Sequence, residues 1–216
     1  MAIGNDNGEK EFFVDPTQPS RSSLVADSRL QRRPVPMRSL DSLLAEGAIP
    51  QADFLKVDVE GYEAEVFAGA RQMLRGSVLG MEVETNFNTS AVYPKCHFDL
   101  VHNVALENGF KLFDLNFDRI LRPLYEAARR RRQSSVSTAG AGAPSTFNVL
   151  FCRDLVAERD GASFYERPPS PPTIDQIIKM MIVYELSDVA VETAVKFSKE
   201  LKTRIDVNEA IDRLCK

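Results

Sequence analysis

The 216-residue sequence lacks most of the features that mark secreted, membrane-spanning or zinc-binding proteins. It has three cysteines, and because Cys96, Cys152 and Cys215 lie far apart without a CxxC pair, they favour a reducing compartment over a disulfide framework or a zinc site. The first residues lack the basic start and apolar centre of a signal peptide, and no stretch reaches the about 20 apolar residues of a membrane span. We therefore expect a soluble, cytoplasmic protein without a membrane partner.

The sequence also lacks an excess of charge of one sign. The 27 Lys and Arg residues nearly balance the 31 Asp and Glu residues, and the net charge of −4 gives no general reason to expect nucleic acid as a partner. The basic run Arg129–Arg132 is a local exception, in a stretch at about residues 126–145 whose Arg- and Ser-rich composition predicts a mobile insertion. A phosphate- or nucleic-acid-binding arm is the alternative, which four arginines without interleaved aromatic side chains indicate only weakly.

Four common motifs are missing as well. The sequence contains no GxGxxG, GxxxxGK[ST], HExxH or GxSxG pattern, which gives no support to a standard dinucleotide loop, P-loop, zinc protease or serine hydrolase. His97 and His102 are five residues apart and therefore off a common helical face, so we do not expect them to share a metal ion.

A repeated strand–helix pattern is present instead. The valine-rich run Phe54–Val59 predicts a central parallel strand, and apolar residues at helical spacing predict a helix from Tyr62 to Arg75, followed by Gly76 as its C′ residue. Alternating strands and helices predict an α/β fold, in which a largely parallel sheet carries helices on both faces and an antiparallel strand near its end. The other predicted elements are a turn at 5–8, strands at 11–14, 78–83, 110–115 and 147–152, a helix between Ser39 and Gly47, and a helix from about 98 to Gly109.

A proline-rich break at 168–172 predicts a boundary between a sheet domain at 1–167 and a small all-helical module at 168–216. Thr173, Ser187 and Asp206 are predicted to cap three short helices in this module. The apolar stripes of these helices need a partner surface, which docking on the sheet domain or homo- or hetero-oligomerisation would supply.

Acidic side chains follow the strand at 54–59. Asp58 and Glu60 lie at its carboxyl end, where open α/β sheets bind ligands. They could act as a general base, as ligands to a hard cation such as Mg²⁺, or as acceptors for ammonium or hydroxyl groups of a cofactor. A turn or capping role is the structural alternative, in which Glu60 accepts hydrogen bonds from amides of the next helix.

Other residues near the end of this strand are also candidates for a site or a structural role. Glu84 and Asn86 end the next strand and could face the same crevice, while Gly61 permits a sharp turn into the following helix. Glu63 complements the dipole of that helix. Lys56, predicted to be buried in the strand, requires a nearby carboxylate because an unpaired buried ammonium is costly.

The run Asp53–Ala70, followed by Leu74 and Gly80–Glu84, resembles the central signature of the FkbM family of methyltransferases. Segments 2–8, 35–44 and 147–153 agree with the family in order, so the resemblance covers residues 2–153. It implies a Rossmann-like, class I S-adenosylmethionine-dependent methyltransferase that transfers a methyl group to a hydroxyl of a sugar, a polyketide or another small molecule.

The resemblance also implies roles for individual residues. Asp58 and Glu60 would be catalytic, with Asp58 the better base or Mg²⁺ ligand; Asp58 and Gly61 would contact the cofactor; Glu84 and Asn86 would contact the acceptor. The family's first three strands and glycine-rich cofactor loop have no counterpart in this sequence, so we expect a partial methyltransferase sheet. A non-catalytic scaffold that binds partners through the C-terminal helices is the alternative function.

Overall fold

The computed structural model describes residues 1–17, 22–87, 97–120, 143–160 and 170–202, together with Asp206 and Glu209. The chain divides into two compact units, Met1–Cys152 and Arg153–Lys216. The boundary predicted at 167/168 stays a prediction. The basic run at 129–132 lies outside the described residues, whereas 143–145, predicted as the end of the insertion, begin a strand.

A small three-stranded sheet opens the first unit. Strands β1 (Ala2–Ile3), β2 (Gly8–Val14) and β3 (Gln31–Arg38) lie in the order β1-β3-β2, with β2 and β3 antiparallel. The predicted strand at 11–14 is confirmed and begins earlier, at Gly8. Strand β3 was not predicted, because Pro34 and Pro36 are typical of breaks in regular structure. Both prolines pair with β2 on one side only, since β1 pairs with the last two residues of β3.

The second sheet has four strands. Strands β4 (Phe54–Val57), β5 (Gly80–Asn86), β6 (Phe110–Ile120) and β7 (Ala143–Arg153) are arranged in the order β4-β5-β7-β6. β4 and β5 are parallel and β7 is antiparallel to β5, which confirms the mixed α/β organisation. The prediction that β4 is central is wrong for the described residues, where β4 is an edge strand. β4 is also shorter than predicted, so Asp58 and Val59 follow it.

Helices α1 (Leu40–Ala45), α2 (Glu63–Ala68), α3 (Arg71–Gly76) and α4 (Phe98–Glu107) complete the first unit. Ser39 caps α1 as predicted, because its side chain accepts a hydrogen bond from the Ser42 amide. After α4, Gly109 has φ 82°, as expected of a glycine that ends a helix.

The single helix predicted from Tyr62 to Arg75 is instead divided into α2 and α3. The Asp41 carboxylate accepts hydrogen bonds from the amides of Gln72 (2.9 Å) and Met73 (3.0 Å), so a residue of α1 satisfies the first amides of α3. Gly76 is the last residue of α3 and Ser77 its C-cap, which corrects the predicted C′ role of Gly76.

Alternation along β4 and β5 separates an apolar face from a polar face. Val57, Met81 and Val83 point into the core, whereas Lys56, Glu82 and Glu84 are more exposed on the opposite face. The core also receives residues from α2, α3, α4, β6 and β7, and burial of each large apolar side chain contributes roughly 1.5–3 kcal/mol. Its buried members are Val57, Val66, Phe67, Ala70, Met73, Leu74, Val78, Met81, Val83, Val101, Ala105, Phe110, Phe147, Val149 and Phe151.

Cys152, near the end of β7, is a buried free thiol, and burial raises its pKa to about 12. It therefore stays protonated and unreactive at neutral pH. Cys96 and Cys215 lie outside the described residues.

Helices α5 (Leu155–Asp160), α6 (Pro171–Val183) and α7 (Ser187–Lys196) belong to the second unit. Ser170, rather than Thr173, caps α6, and Leu186 stands at the N-cap of α7 in place of Ser187. Asp206 does accept a hydrogen bond from the Glu209 amide, at 3.1 Å, which is the bond predicted for a cap. No helix in the described part of the chain is long and apolar enough to cross a membrane.

Gly69, between α2 and α3, brings these helices against the first sheet. A Cβ atom there would lie 2.0 Å from the Gly4 carbonyl oxygen, while the Gly69 carbonyl accepts a hydrogen bond from the Asp41 amide at 2.9 Å. Backbone, unlike a flexible side chain, cannot move aside locally. The absence of a side chain at Gly69 therefore permits this close contact.

We expect Gly69→Ala to destabilise the protein by about 1–3 kcal/mol, because the added methyl group overpacks a backbone contact. Urea unfolding would measure this change. Gly76→Ala is the matched control, since nothing lies within 4 Å of a Cβ at Gly76 and it is a helical residue. Equal stability of both variants would contradict the proposed role of the contact.

Candidate functional site

The parallel register of β4 and β5 brings acidic residues together. Val57 pairs with Val83, so the next residues, Asp58 and Glu84, are neighbours on the polar face of the sheet. Their side chains hydrogen-bond each other. Glu60 joins them from the loop after β4, and one oxygen from each of the three carboxylates lies within 4.8 Å of the others. We call Asp58, Glu60 and Glu84 the acidic cluster.

Lys56 lies beside the acidic cluster. Its Nζ is 3.0 Å from Glu82 Oε1 and 3.9 Å from Asp58 Oδ2, and it donates a hydrogen bond to Asn148 Oδ1. The predicted carboxylate partner is confirmed, but Lys56 is not buried: its side chain is 45% exposed. The β4 edge leaves the ammonium in contact with water, which avoids the cost of burying it.

Within the acidic cluster, the pKa of Glu84 is raised from 4.5 to about 7. Burial of the carboxyl is the largest cause, followed by the negative charge of Asp58, the hydrogen bond with Asp58 and the negative charge of Glu60; Lys56 opposes the rise. Below this pH, the protonated Glu84 carboxyl donates its hydrogen bond to the Asp58 carboxylate. Glu84 therefore holds a proton that can be exchanged near neutral pH.

This pKa predicts how stability depends on pH. A carboxyl whose pKa is raised on folding stabilises the protein below its unfolded value of 4.5, and this stabilisation is lost as the pH rises through about 7. Glu84→Gln does not ionise, and its amide can still donate to Asp58. We therefore expect its stability relative to wild type to rise by about 1 kcal/mol between about pH 4.5 and about pH 8, since partial exposure screens most of the shift.

Urea unfolding of both proteins at the two pH values measures the change. The control is Glu107→Gln, because Glu107 is exposed at the end of α4. A wild type and a Glu84→Gln variant with the same pH dependence would show that Glu84 ionises normally.

The loop after β4 has an uncommon backbone conformation. Glu60 has φ 55° and Gly61 has φ 95°. The left-handed region suits glycine, but at a residue with a Cβ such as Glu60 it costs roughly 1–2 kcal/mol. The predicted turn at Gly61 is thus present, and it begins one residue earlier, at Glu60.

Glu63 holds this loop from inside. It is fully buried, and its Oε1 accepts hydrogen bonds from the amides of Val59 and Gly61, both at 3.1 Å. The capping alternative assigned to Glu60 hydrogen bonds from amides of the following helix, and that assignment stays a prediction. Sequence reasoning assigned Glu63 only to the helix dipole, because spacing alone does not reveal that its side chain folds back.

Ser23 holds the same loop from outside. Its hydroxyl donates to the Glu60 carbonyl at 3.0 Å and accepts from the Val25 amide at 2.8 Å. Its backbone pairs with Phe13 of β2 through two hydrogen bonds, of 2.8 and 3.1 Å. Ser23 was not predicted as a site residue, since the contact joins residues 37 positions apart in the sequence.

The remaining predicted site residue, Asn86, ends β5 two positions after Glu84. It is 6% exposed, and its Oδ1 is buried without a hydrogen-bond partner. Of the two histidines, His97 forms an isolated parallel bridge with Asn86 and contacts Asp99, while the His102 ring stacks on Phe98 at 5.1 Å.

The carboxylates of the acidic cluster lie at the carboxyl ends of two parallel strands, which is the edge where open α/β sheets bind ligands. The family model described as the Methyltransferase FkbM domain matches residues 1–115, more than half of the 216-residue chain, including the whole acidic cluster. The chain therefore belongs to the FkbM methyltransferase family, which confirms the resemblance; the predicted match at 147–153 lies beyond these residues. No curated protein and no solved structure matches the chain.

Proposed function

We propose that this chain transfers a methyl group from S-adenosylmethionine to a hydroxyl group of a small molecule such as a sugar. Membership of the FkbM family supports the reaction class, since S-adenosylmethionine is the usual cofactor of methyltransferases. The observation that carries the proposal is the acidic cluster, because its carboxylates lie where open α/β sheets bind ligands.

The residues of the acidic cluster fit this cofactor. S-adenosylmethionine, when bound, supplies an activated methyl group on a positively charged sulfur, and it also carries an ammonium group and ribose hydroxyls. Asp58 and Glu60 are acceptors for such ammonium and hydroxyl groups. Gly61 has no side chain, so a ligand can approach the loop backbone closely. The net negative charge of the cluster favours a cationic ligand.

The same carboxylates provide a general base. An acceptor hydroxyl would lose its proton to Asp58 as its oxygen replaces the sulfur on the methyl carbon, with the carbon–sulfur bond breaking to leave a neutral thioether. The Lys56 ammonium lies 3.9 Å from Asp58 Oδ2, on the same side of the sheet. Glu84, with a pKa of about 7, exchanges the proton through its hydrogen bond with Asp58 at the pH where general bases are most effective. Glu84 and Asn86 contact the acceptor from β5.

A divalent cation is an alternative ligand of the acidic cluster. Mg²⁺ takes carboxylate oxygens, and Asp58 is its predicted ligand; the three carboxylates are close enough together to contribute oxygens to one ion. Because the proposed transfer needs only a base, the cation is not required by the reaction proposed here.

The proposal is tested by calorimetric titration with S-adenosylmethionine and by transfer of a labelled methyl group to sugar acceptors. We expect Asp58→Asn to lower kcat at least about 100-fold through loss of the base, while the circular-dichroism spectrum stays unchanged. Asp114→Asn is the control, since Asp114 is an exposed residue of β6. Absence of cofactor binding at millimolar concentration would refute cofactor use by this chain alone.

A further inference from the structure

The geometry points to Glu63 and Ser23 as positioning residues that together hold the Glu60 carboxylate in the acidic cluster. This inference rests on the proposed function only in treating the cluster as the methyl-transfer site. Neither residue belongs to the cluster, so both act through the backbone of Glu60.

Glu60 needs to be held for two reasons. Its φ of 55° is unfavourable for a residue with a side chain, so the loop has a preference for other conformations. Its carboxylate also lies within 4.8 Å of the Asp58 and Glu84 carboxylates, and like charges repel. Both effects would move the Glu60 side chain away from the cluster if the backbone were free to relax.

Glu63 opposes this relaxation on both sides of Glu60. The Val59 and Gly61 amides, one residue before and one after Glu60, donate to the same oxygen, Glu63 Oε1, at 3.1 Å each. A single acceptor can bind both amides only if the chain between them curves tightly, as it does at a left-handed residue. Because Glu63 is fully buried, its carboxylate cannot leave these amides for water without opening the loop.

Ser23 holds the backbone carbonyl group of Glu60. Its hydroxyl binds the Glu60 carbonyl at 3.0 Å, and Ser23 is itself 4% exposed and paired with Phe13 of β2. The Glu60 peptide is thus held from two directions, by the helix that follows it and by the first sheet. This arrangement fixes the conformation of a residue whose side chain serves the cluster.

Nuclear magnetic resonance tests the geometry without any methyl donor. In the wild-type chain we expect slow hydrogen exchange at the Val59 and Gly61 amides and an amide–Hα coupling at Glu60 that matches positive φ. Glu63→Ala should accelerate exchange at both amides at least 10-fold, and Ser23→Ala should shift the Glu60 coupling. Glu63→Gln keeps an acceptor oxygen and should restore the wild-type signature, whereas Glu63→Met, which has a similar volume but no acceptor oxygen, should not.

Methyl-transfer kinetics test the functional consequence. Glu63→Ala and Ser23→Ala should each lower kcat several-fold, but cause no further loss when Glu60→Gln is already present, because they act through Glu60. The inference would be overturned if the loss of kcat in either alanine variant multiplied with the loss caused by Glu60→Gln. An unchanged amide–Hα coupling of Glu60 in both alanine variants would also overturn it. If Glu63→Ala does not fold, Ser23→Ala and Glu63→Gln decide the question. A wild type without methyl-transfer activity would refute the proposed function, while the resonance signature would still decide whether Glu60 is held.

Discussion

The parallel pairing of β4 with β5 is the constraint on which the site depends. Once Val57 and Val83 are fixed as partners by the apolar core beneath them, Asp58 and Glu84 are brought together regardless of their mutual repulsion. A shift of the register by one residue would turn the carboxylates into the core and expose the apolar residues. The free energy of burying the apolar face therefore keeps the two carboxyl groups adjacent, and the pKa of Glu84 is raised first by burial and further by the neighbouring Asp58.

The first sheet contributes to the site although it contains none of the acidic cluster. It contacts the helices at Gly69 through Gly4, and it reaches the loop after β4 through Ser23. These two contacts lie at opposite ends of α2, whose first residue is Glu63. The helix and the loop that precedes it are consequently held as one piece. Residues far apart in the sequence thus determine where the Glu60 backbone lies.

Much of this organisation is predictable from the sequence, for identifiable reasons. The valine-rich run at β4 and the helical spacing of apolar residues in α4 indicate which residues are buried. The rule that ligands bind at the carboxyl ends of strands selects Asp58, Glu60 and Glu84. Family resemblance adds the reaction class, which no single residue of the cluster specifies.

Other features escape prediction because they depend on partners distant in the sequence. The division between α2 and α3 is stabilised by Asp41, some thirty positions earlier in the sequence. Strand β3 tolerates two prolines because Pro34 and Pro36 pair with β2 only and not with β1. The inward fold of Glu63 and the contact of Ser23 likewise depend on tertiary structure. Exposure of Lys56 follows from the edge position of β4, which its composition does not reveal.

The left-handed conformation of Glu60 has a consequence for the balance between stability and activity. Glycine would occupy this backbone conformation with less strain, so the backbone conformation by itself does not favour a glutamate there. Replacement by glycine would relieve this strain, and the role proposed for the Glu60 carboxylate would oppose that change. A glycine at position 60 would therefore increase the stability of the protein and decrease the proposed activity.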